Sequence, residues 1–201
     1  MSANEWNERF GDSGYYYGET ANEFLQHRHT LIPKDSKVLV LGDGEGRNGV
    51  FLARKRCKVT SVDASAVGLE KARALAAKHK VSIETIEAML PNLDVEKGTW
   101  DVVVLIFLHL PEAERKAVHQ LAIDALRPGG LLILEAFTPD QLGKPSGGPK
   151  TAERLYTAAM LREDFSGEMD IEGLAEVETV LNEGPGHVGP ASVVRLLASK
   201  R

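Results

Sequence analysis

The chain has 201 residues, 43% of them hydrophobic, enough for one domain with a substantial core. A formal net charge of −5 argues against a sequence-independent hold on nucleic acid, and the one cysteine, Cys57, excludes an internal disulfide and a thiolate zinc cluster, so no metal site is expected. No apolar run reaches the roughly 18 residues that cross a bilayer, and the start lacks the apolar stretch of a signal peptide; a cytoplasmic protein acting on a small molecule, with neither nucleic acid nor membrane as partner, is expected.

The tyrosine run Tyr15-Tyr16-Tyr17 with Gly18 lies ahead of the first strand and reads as a cover over a site, with plain packing as the alternative for Tyr15 and Tyr16. A helix follows over Thr20–Thr30, then a strand over Val38–Leu41 that stops at Gly42-Asp43-Gly44-Glu45-Gly46-Arg47-Asn48, where a helical pattern begins (Gly46–Arg56). Glycines at alternate positions open backbone conformations closed to other residues and let a ligand lie against the main chain. The helix start adds unpaired N–H groups, so a nucleotide-like cofactor is indicated. The next strand, Lys58–Val62, ends on Asp63, a carboxylate placed to bind two ribose hydroxyls; Cys57 before it is either a small buried residue or a reactive thiol.

A helix over Ala64–Lys80 leads to a strand at Ser82–Glu87, followed by Ala88-Met89-Leu90. The strand Asp101–Phe107 runs into Leu108-His109-Leu110-Pro111; His109 either takes a proton from a nucleophile or orients the next helix, Glu112–Leu126. Glu135, in the strand Leu131–Phe137, faces a substrate or stands in water at the strand tip. A loop (Thr138 to Pro149), a helix (Ala152–Phe165) and two strands (Ala175–Leu181, Ala191–Ala198) complete the chain. No helical segment separates these last strands, and Gly184-Pro185-Gly186 between them marks a long hairpin whose tip carries His187, a substrate contact or a turn residue with its ring in solvent. The alternation predicts an α/β fold: a single Rossmann-like, doubly wound, mostly parallel seven-stranded sheet with an antiparallel last strand and a site beyond the carboxyl ends of the strands.

The glycines have two registers. Gly44-x-Gly46-x-x-Gly49 satisfies the dinucleotide fingerprint, but there the first glycine directly follows the strand, and counting from Gly42 puts Arg47 at the third glycine position. The register from Gly42 resembles motif I of class I S-adenosylmethionine-dependent methyltransferases. Gly44-Glu45-Gly46-Arg47-Asn48 narrows the resemblance to the small bacterial tellurite-resistance-protein-B-like group. Trp6-Asn7-Glu8-Arg9-Phe10, Tyr17-Gly18, Leu126-Arg127-Pro128-Gly129-Gly130, Gly147-Gly148-Pro149-Lys150 and Glu183-Gly184-Pro185-Gly186-His187-Val188-Gly189 extend it over nearly the whole chain.

The resemblance implies a single methyltransferase domain over 1–201, with 1–30 as an N-terminal lid and 31–201 as the Rossmann-like core, present as a monomer or homodimer. It implies S-adenosylmethionine as cofactor, with S-adenosylhomocysteine as product. Gly42, Asp43, Gly44, Gly46, Arg47 and Asn48 would lie against the methionine part and ribose, Asp63 on the ribose, and Ala64 beside the adenine. Ala88, Met89 and Leu90 would meet the base, Met89 packing on it or plugging the core. Ile106 and Phe107 would wall the pocket, with Tyr17 and Gly18 covering it. Arg28 and Arg47 are partners for a carboxylate or anionic substrate, or solvated charges; His109 and His187 are the catalytic candidates. A sulfonium is an excellent leaving group, so positioning and desolvation carry much of the catalysis and the acceptor, a thiol or a chalcogen oxyanion such as tellurite or selenite, is not written in catalytic residues. A binding module without turnover and, at lower weight, a NAD-dependent oxidoreductase are the other readings.

Overall fold

The computed structural model describes residues 2–201. Strands β1 (Lys37–Leu41), β2 (Lys58–Asp63), β3 (Glu84–Glu87), β4 (Trp100–Ile106), β5 (Leu126–Phe137), β6 (Met169–Asn182) and β7 (Val188–Lys200) form one sheet in the order β3-β2-β1-β4-β5-β7-β6. β1 to β5 pair in parallel, and β7 lies antiparallel between β5 and β6. The expected topology, with its antiparallel last strand, is present. The strand order reverses between β1 and β4, and this switch point leaves a crevice at their carboxyl ends.

Helices α1 (Ala3–Arg9), α2 (Glu23–Arg28), α3 (Arg47–Arg54), α4 (Ala66–Lys78), α5 (Glu112–Ala125) and α6 (Ala158–Phe165) flank the sheet. The two-residue period of β1 divides its side chains between the faces. Val38 and Val40 pack with Phe24 and Leu25 of α2 and Leu52 of α3. Leu39 and Leu41 pack with Val118 and Ile123 of α5 and Leu161 and Phe165 of α6. Each such side chain contributes about 1.5–3 kcal/mol by leaving water. Cys57 belongs to the first layer, where burial pushes its thiol pKa up; it is a packing residue.

The structure differs from the sequence reading at several ends. α1 has no counterpart there. The helix expected from Thr20 starts at Glu23, because the Asn22 side chain caps it by accepting the Leu25 N–H, and it ends in a 3-10 turn at His29–Leu31. The helix expected from Ala152 starts at Ala158, capped by Thr157; ahead of it Leu155 and Tyr156 are extended and buried, with Tyr156 N donating to Phe137 O at 3.0 Å. No described helix is long and apolar enough to cross a membrane.

Candidate functional site

Gly42, Gly44 and Gly46 have φ of +72°, +55° and +86°, a region that costs a side chain about 1–2 kcal/mol. Gly42 N and Asp43 N both donate to Val62 O (2.8 and 3.1 Å), folding the turn over the end of β2. There Asp63 Oδ2 accepts the Gly44 N–H at 2.8 Å and Oδ1 the Ser65 N–H at 2.9 Å. Burial raises the Asp63 pKa against these donors, and no cation pairs with it among the described residues. Asp43 lies beneath the turn, accepting Ser61 Oγ–H at 2.6 Å and Gly49 N–H at 3.2 Å; burial outweighs both and pushes its pKa up to about 7. A Cβ on Gly49 would stand 2.4 Å from Asp43 Oδ2 and from Ser61 Oγ, so this glycine serves the packing of α3 on β2.

A cavity of about 640 Å³ occupies the crevice, within the range of roughly 300–1,000 Å³ usual for small-molecule sites. Tyr17, Gly18, Gly42, Asp43, Gly44, Arg47, Asn48, Asp63, Ala64, Ala88, Met89, Leu90, Ile106, Phe107, His109 and His187 all line it. Gly46 does not: its Cβ would stand 2.5 Å from Ala72 Cβ, and the bare backbone lets α3 start against α4. Met89 is 48% exposed on the cavity wall, so it plugs no core. Phe107 closes β4 with φ of +53°, an uncommon conformation for an aromatic residue, and stacks on Phe137 at 4.5 Å.

The cover is fastened at points the sequence reading did not identify. Glu45, buried in the glycine turn, accepts Tyr16 N–H at 2.8 Å and Tyr17 N–H at 3.4 Å through Oε2, while Oε1 pairs with Lys71 at 2.8 Å. Gly186 N donates to Tyr16 O at 2.9 Å, and a Cβ on Gly184 would stand 2.2 Å from Gly18 N, so the β6–β7 loop lies directly on the tyrosine run. Tyr15 Oη–H donates to Lys71 O at 3.1 Å, and Tyr16 is 37% exposed. From α1, Trp6, Arg9 and Phe10 also reach the cavity; Arg9 lies over the Trp6 ring at 4.9 Å and donates to Tyr17 Oη at 3.4 Å. The Trp6 to Phe10 match and the expected 1–30 lid had pointed to this segment, though not to these contacts.

Behind the cover runs a buried polar network. Asn22 Nδ2 donates to Glu135 Oε1 (2.6 Å) and Glu183 Oε1 (3.0 Å), Arg195 pairs with Glu135, and Arg47 NH2 stands 2.7 Å from Glu183 Oε2. Glu135 is fully buried in this network, so it meets neither substrate nor water. Arg47 is no solvated charge, and its ionic partner is Glu183; Arg28 is exposed on α2 over the Phe24 ring, away from the cavity. Asn48 Oδ1 accepts the Asn22 N–H at 2.9 Å.

The two histidines differ. His109 uses both ring nitrogens: Nδ1–H donates to Arg154 O at 2.8 Å, and Nε2 accepts Phe137 N–H at 3.2 Å. Burial lowers its pKa to about 4, and it does not cap α5. His187 is buried, not solvated, its ring 4.4 Å from Tyr17, 4.5 Å from Phe107 and 5.3 Å from Phe137, and no protein hydrogen bond reaches Nδ1 among the described residues.

Residues 38–130 match the protein-family model of a methyltransferase domain. The sheet order and the antiparallel β7 are those of the class I methyltransferase fold, and the matched segment runs from β1 into β5. Among curated proteins, a carboxy-S-adenosyl-L-methionine synthase of Aeromonas hydrophila is 42% identical over 82 residues, 39% of this chain and 32% of that protein. A second such synthase, from Photorhabdus laumondii, is 25% identical over 57% of this chain and 49% of its own length; the chain thus spans about a third to a half of the curated relatives it matches. Among solved structures, TehB from Haemophilus influenzae superposes with a TM-score of 0.74 at 18% identity, covering 99% of this chain and 67% of that one. The N-methyltransferase NodS from Bradyrhizobium japonicum, in complex with S-adenosyl-L-homocysteine, gives 0.71 at 14%, covering 98% and 97%.

Proposed function

We propose that the chain is an S-adenosylmethionine-dependent methyltransferase for a small acceptor. The observation that carries this is Asp63. Its carboxylate sits at the tip of β2 beside the glycine turn, largely buried, without a counter-ion among the described residues, on the wall of the cavity. Burying a charge without a counter-charge is costly unless donors meet its free lone pairs, and two ribose hydroxyls are such donors. The walls fit the rest of the cofactor: Ala64, Ala88, Met89 and Ile106 offer an apolar slot for a base, and Tyr17, Phe107 and Phe137 offer aromatic faces to a sulfonium.

When bound, the cofactor supplies an electrophilic methyl group. The chain's own residues bind, orient and exclude water. Gly42 and Gly44 bring bare backbone to the ligand, Asp63 accepts the ribose hydroxyls, and the segment pinned by Glu45 covers part of the cavity. His109 has its lone pair engaged by Phe137 N–H, so it ties the 154 segment to the end of β5 and positions that wall. His187, with no such engagement, is the side chain available to an acceptor's proton. Arg9, Lys150 and Arg154 line the cavity without an ion-pair partner among the described residues, which suits a chalcogen oxyanion or a thiol that becomes anionic as it gives up its proton.

Incubation with S-adenosylmethionine and a panel of thiols, tellurite, selenite and small amines, with S-adenosylhomocysteine measured by mass spectrometry, tests this. Acceptor-dependent product is expected. Cofactor binding without product from any acceptor would favour a binding module instead.

A further inference from the structure

The loop joining β6 to β7 sets two buried polar atoms face to face. His187 Nδ1 and Glu183 Oε2 are 3.7 Å apart, and neither makes a hydrogen bond; Oε2 has the Arg47 guanidinium at 2.7 Å, outside hydrogen-bond geometry. Leaving the His187 nitrogen without a hydrogen bond costs about 1–3 kcal/mol, and a movement of under ~1 Å brings the two atoms to bonding distance. The carboxylate is anchored for this role. Its Oε1 accepts Asn22 Nδ2–H at 3.0 Å and Glu23 N–H at 3.3 Å, while Arg47 holds the charge. The imidazole is fixed by Tyr17, Phe107 and Phe137, and the residue lines the cavity.

We propose that Glu183 is the positioning residue of His187: it accepts Nδ1–H, fixes that tautomer, and so presents the Nε2 lone pair to the acceptor. In a neutral imidazole the hydrogen bond at one nitrogen decides which nitrogen stays basic. The catalytic consequence rests on the methyl-transfer reading. The acceptor's X–H bond breaks with its electron pair left on X, the proton passes to Nε2, and the resulting imidazolium is balanced by Glu183. The charged and titratable groups facing His187 are Glu183 on its own hairpin, Arg47 of α3, Arg9 of α1, Tyr17 of the cover and His109 after β4. Burial lowers the His187 pKa, so the ring is neutral at pH 7; burial also works against the Glu183 carboxylate, but His187 and Arg47 hold it down at about 2, so it stays ionised.

Nitrogen-15 NMR of the full chain labelled at histidine, with the His187 signals assigned by their loss in His187→Asn, reads the tautomer without any acceptor. The expected free protein has a protonated Nδ1 and a bare Nε2. Glu183→Gln keeps an acceptor but removes the charge, and should lower the His187 titration midpoint by about one pH unit. Glu183→Leu removes the acceptor and should leave mixed or reversed tautomers. An Nε2–H tautomer in the wild type, or tautomer and midpoint unmoved in both variants, overturns the proposal; if the Leu variant does not fold, the other two measurements decide. Titration of the same sample with S-adenosylhomocysteine separates the outcomes, since absence of binding would remove the methyl-transfer reading while the tautomer still decides the role of Glu183.

Discussion

Glu45 pins the cover to the glycine turn, and replacing it by Ala isolates that fastening. The variant loses two hydrogen bonds from backbone amides to a carboxylate, those of Tyr16 at 2.8 Å and Tyr17 at 3.4 Å, together with the Lys71 ion pair. Bonds to a charged acceptor contribute about 1.5–3 kcal/mol each, so even the lower value sums to ~3 kcal/mol, or roughly a hundredfold in the opening equilibrium of the segment. The opening should stay local, because the chain remains held at Asn22 by Asn48 and at Asn22 by Glu183. Amide exchange followed by mass spectrometry should show residues 11–20 exchanging about 30 to 100 times faster than in the wild type, with the sheet unchanged. S-adenosylhomocysteine should restore part of the protection, since a ligand bound under the cover favours the closed state. Equal protection of 11–20 in both proteins would mean that packing against the hairpin, not Glu45, holds the cover, and that the lid has no latch in the glycine turn.

Asp63→Ala should weaken S-adenosylhomocysteine binding at least tenfold by calorimetry with the fold retained by circular dichroism, and unaltered affinity would take Asp63 out of the ribose site. Gly46→Ala puts a methyl group 2.5 Å from Ala72 Cβ at a φ of +86°, so it should cost about 2–5 kcal/mol and lower the melting temperature by roughly 5–15 °C; a shift under ~2 °C would show that α3 and α4 separate freely. Asp43 has a folded pKa of about 7 against 3.8 unfolded, so between these values the folded state binds more protons and stability falls as pH rises. Denaturant titrations should therefore show a decline from pH 5 to 8 that Asp43→Asn flattens, and an equal decline in both proteins would assign it to other groups.

The sequence was most informative where one local pattern decides the structure. β1 and β4 are mostly apolar runs buried on both faces, and Gly42, Gly44 and Gly46 take the positive φ that glycine permits. Ser2 and Glu5 form a capping box that signals α1, yet that helix buries no residue and so gives no apolar period to read. The network was illegible because its members are far apart in the chain. Glu135 meets Arg195 only through the β5–β7 register, and Arg47 meets Glu183 only when the hairpin folds over the glycine turn. Glu135 therefore read as facing a substrate or standing in water, and Glu183 was not legible as the ionic partner of Arg47. His109 likewise read as a base or a cap because Arg154 O and Phe137 N, its two partners, come from other loops.

The central claim is that the crevice beside Asp63 binds S-adenosylmethionine, and calorimetric titration of the purified protein with S-adenosylmethionine, S-adenosylhomocysteine and NAD in parallel tests it most directly. Micromolar binding of the first two, lost in Asp63→Ala, with no heat from NAD, is the predicted result; binding of NAD alone, or of none of the three, would contradict it.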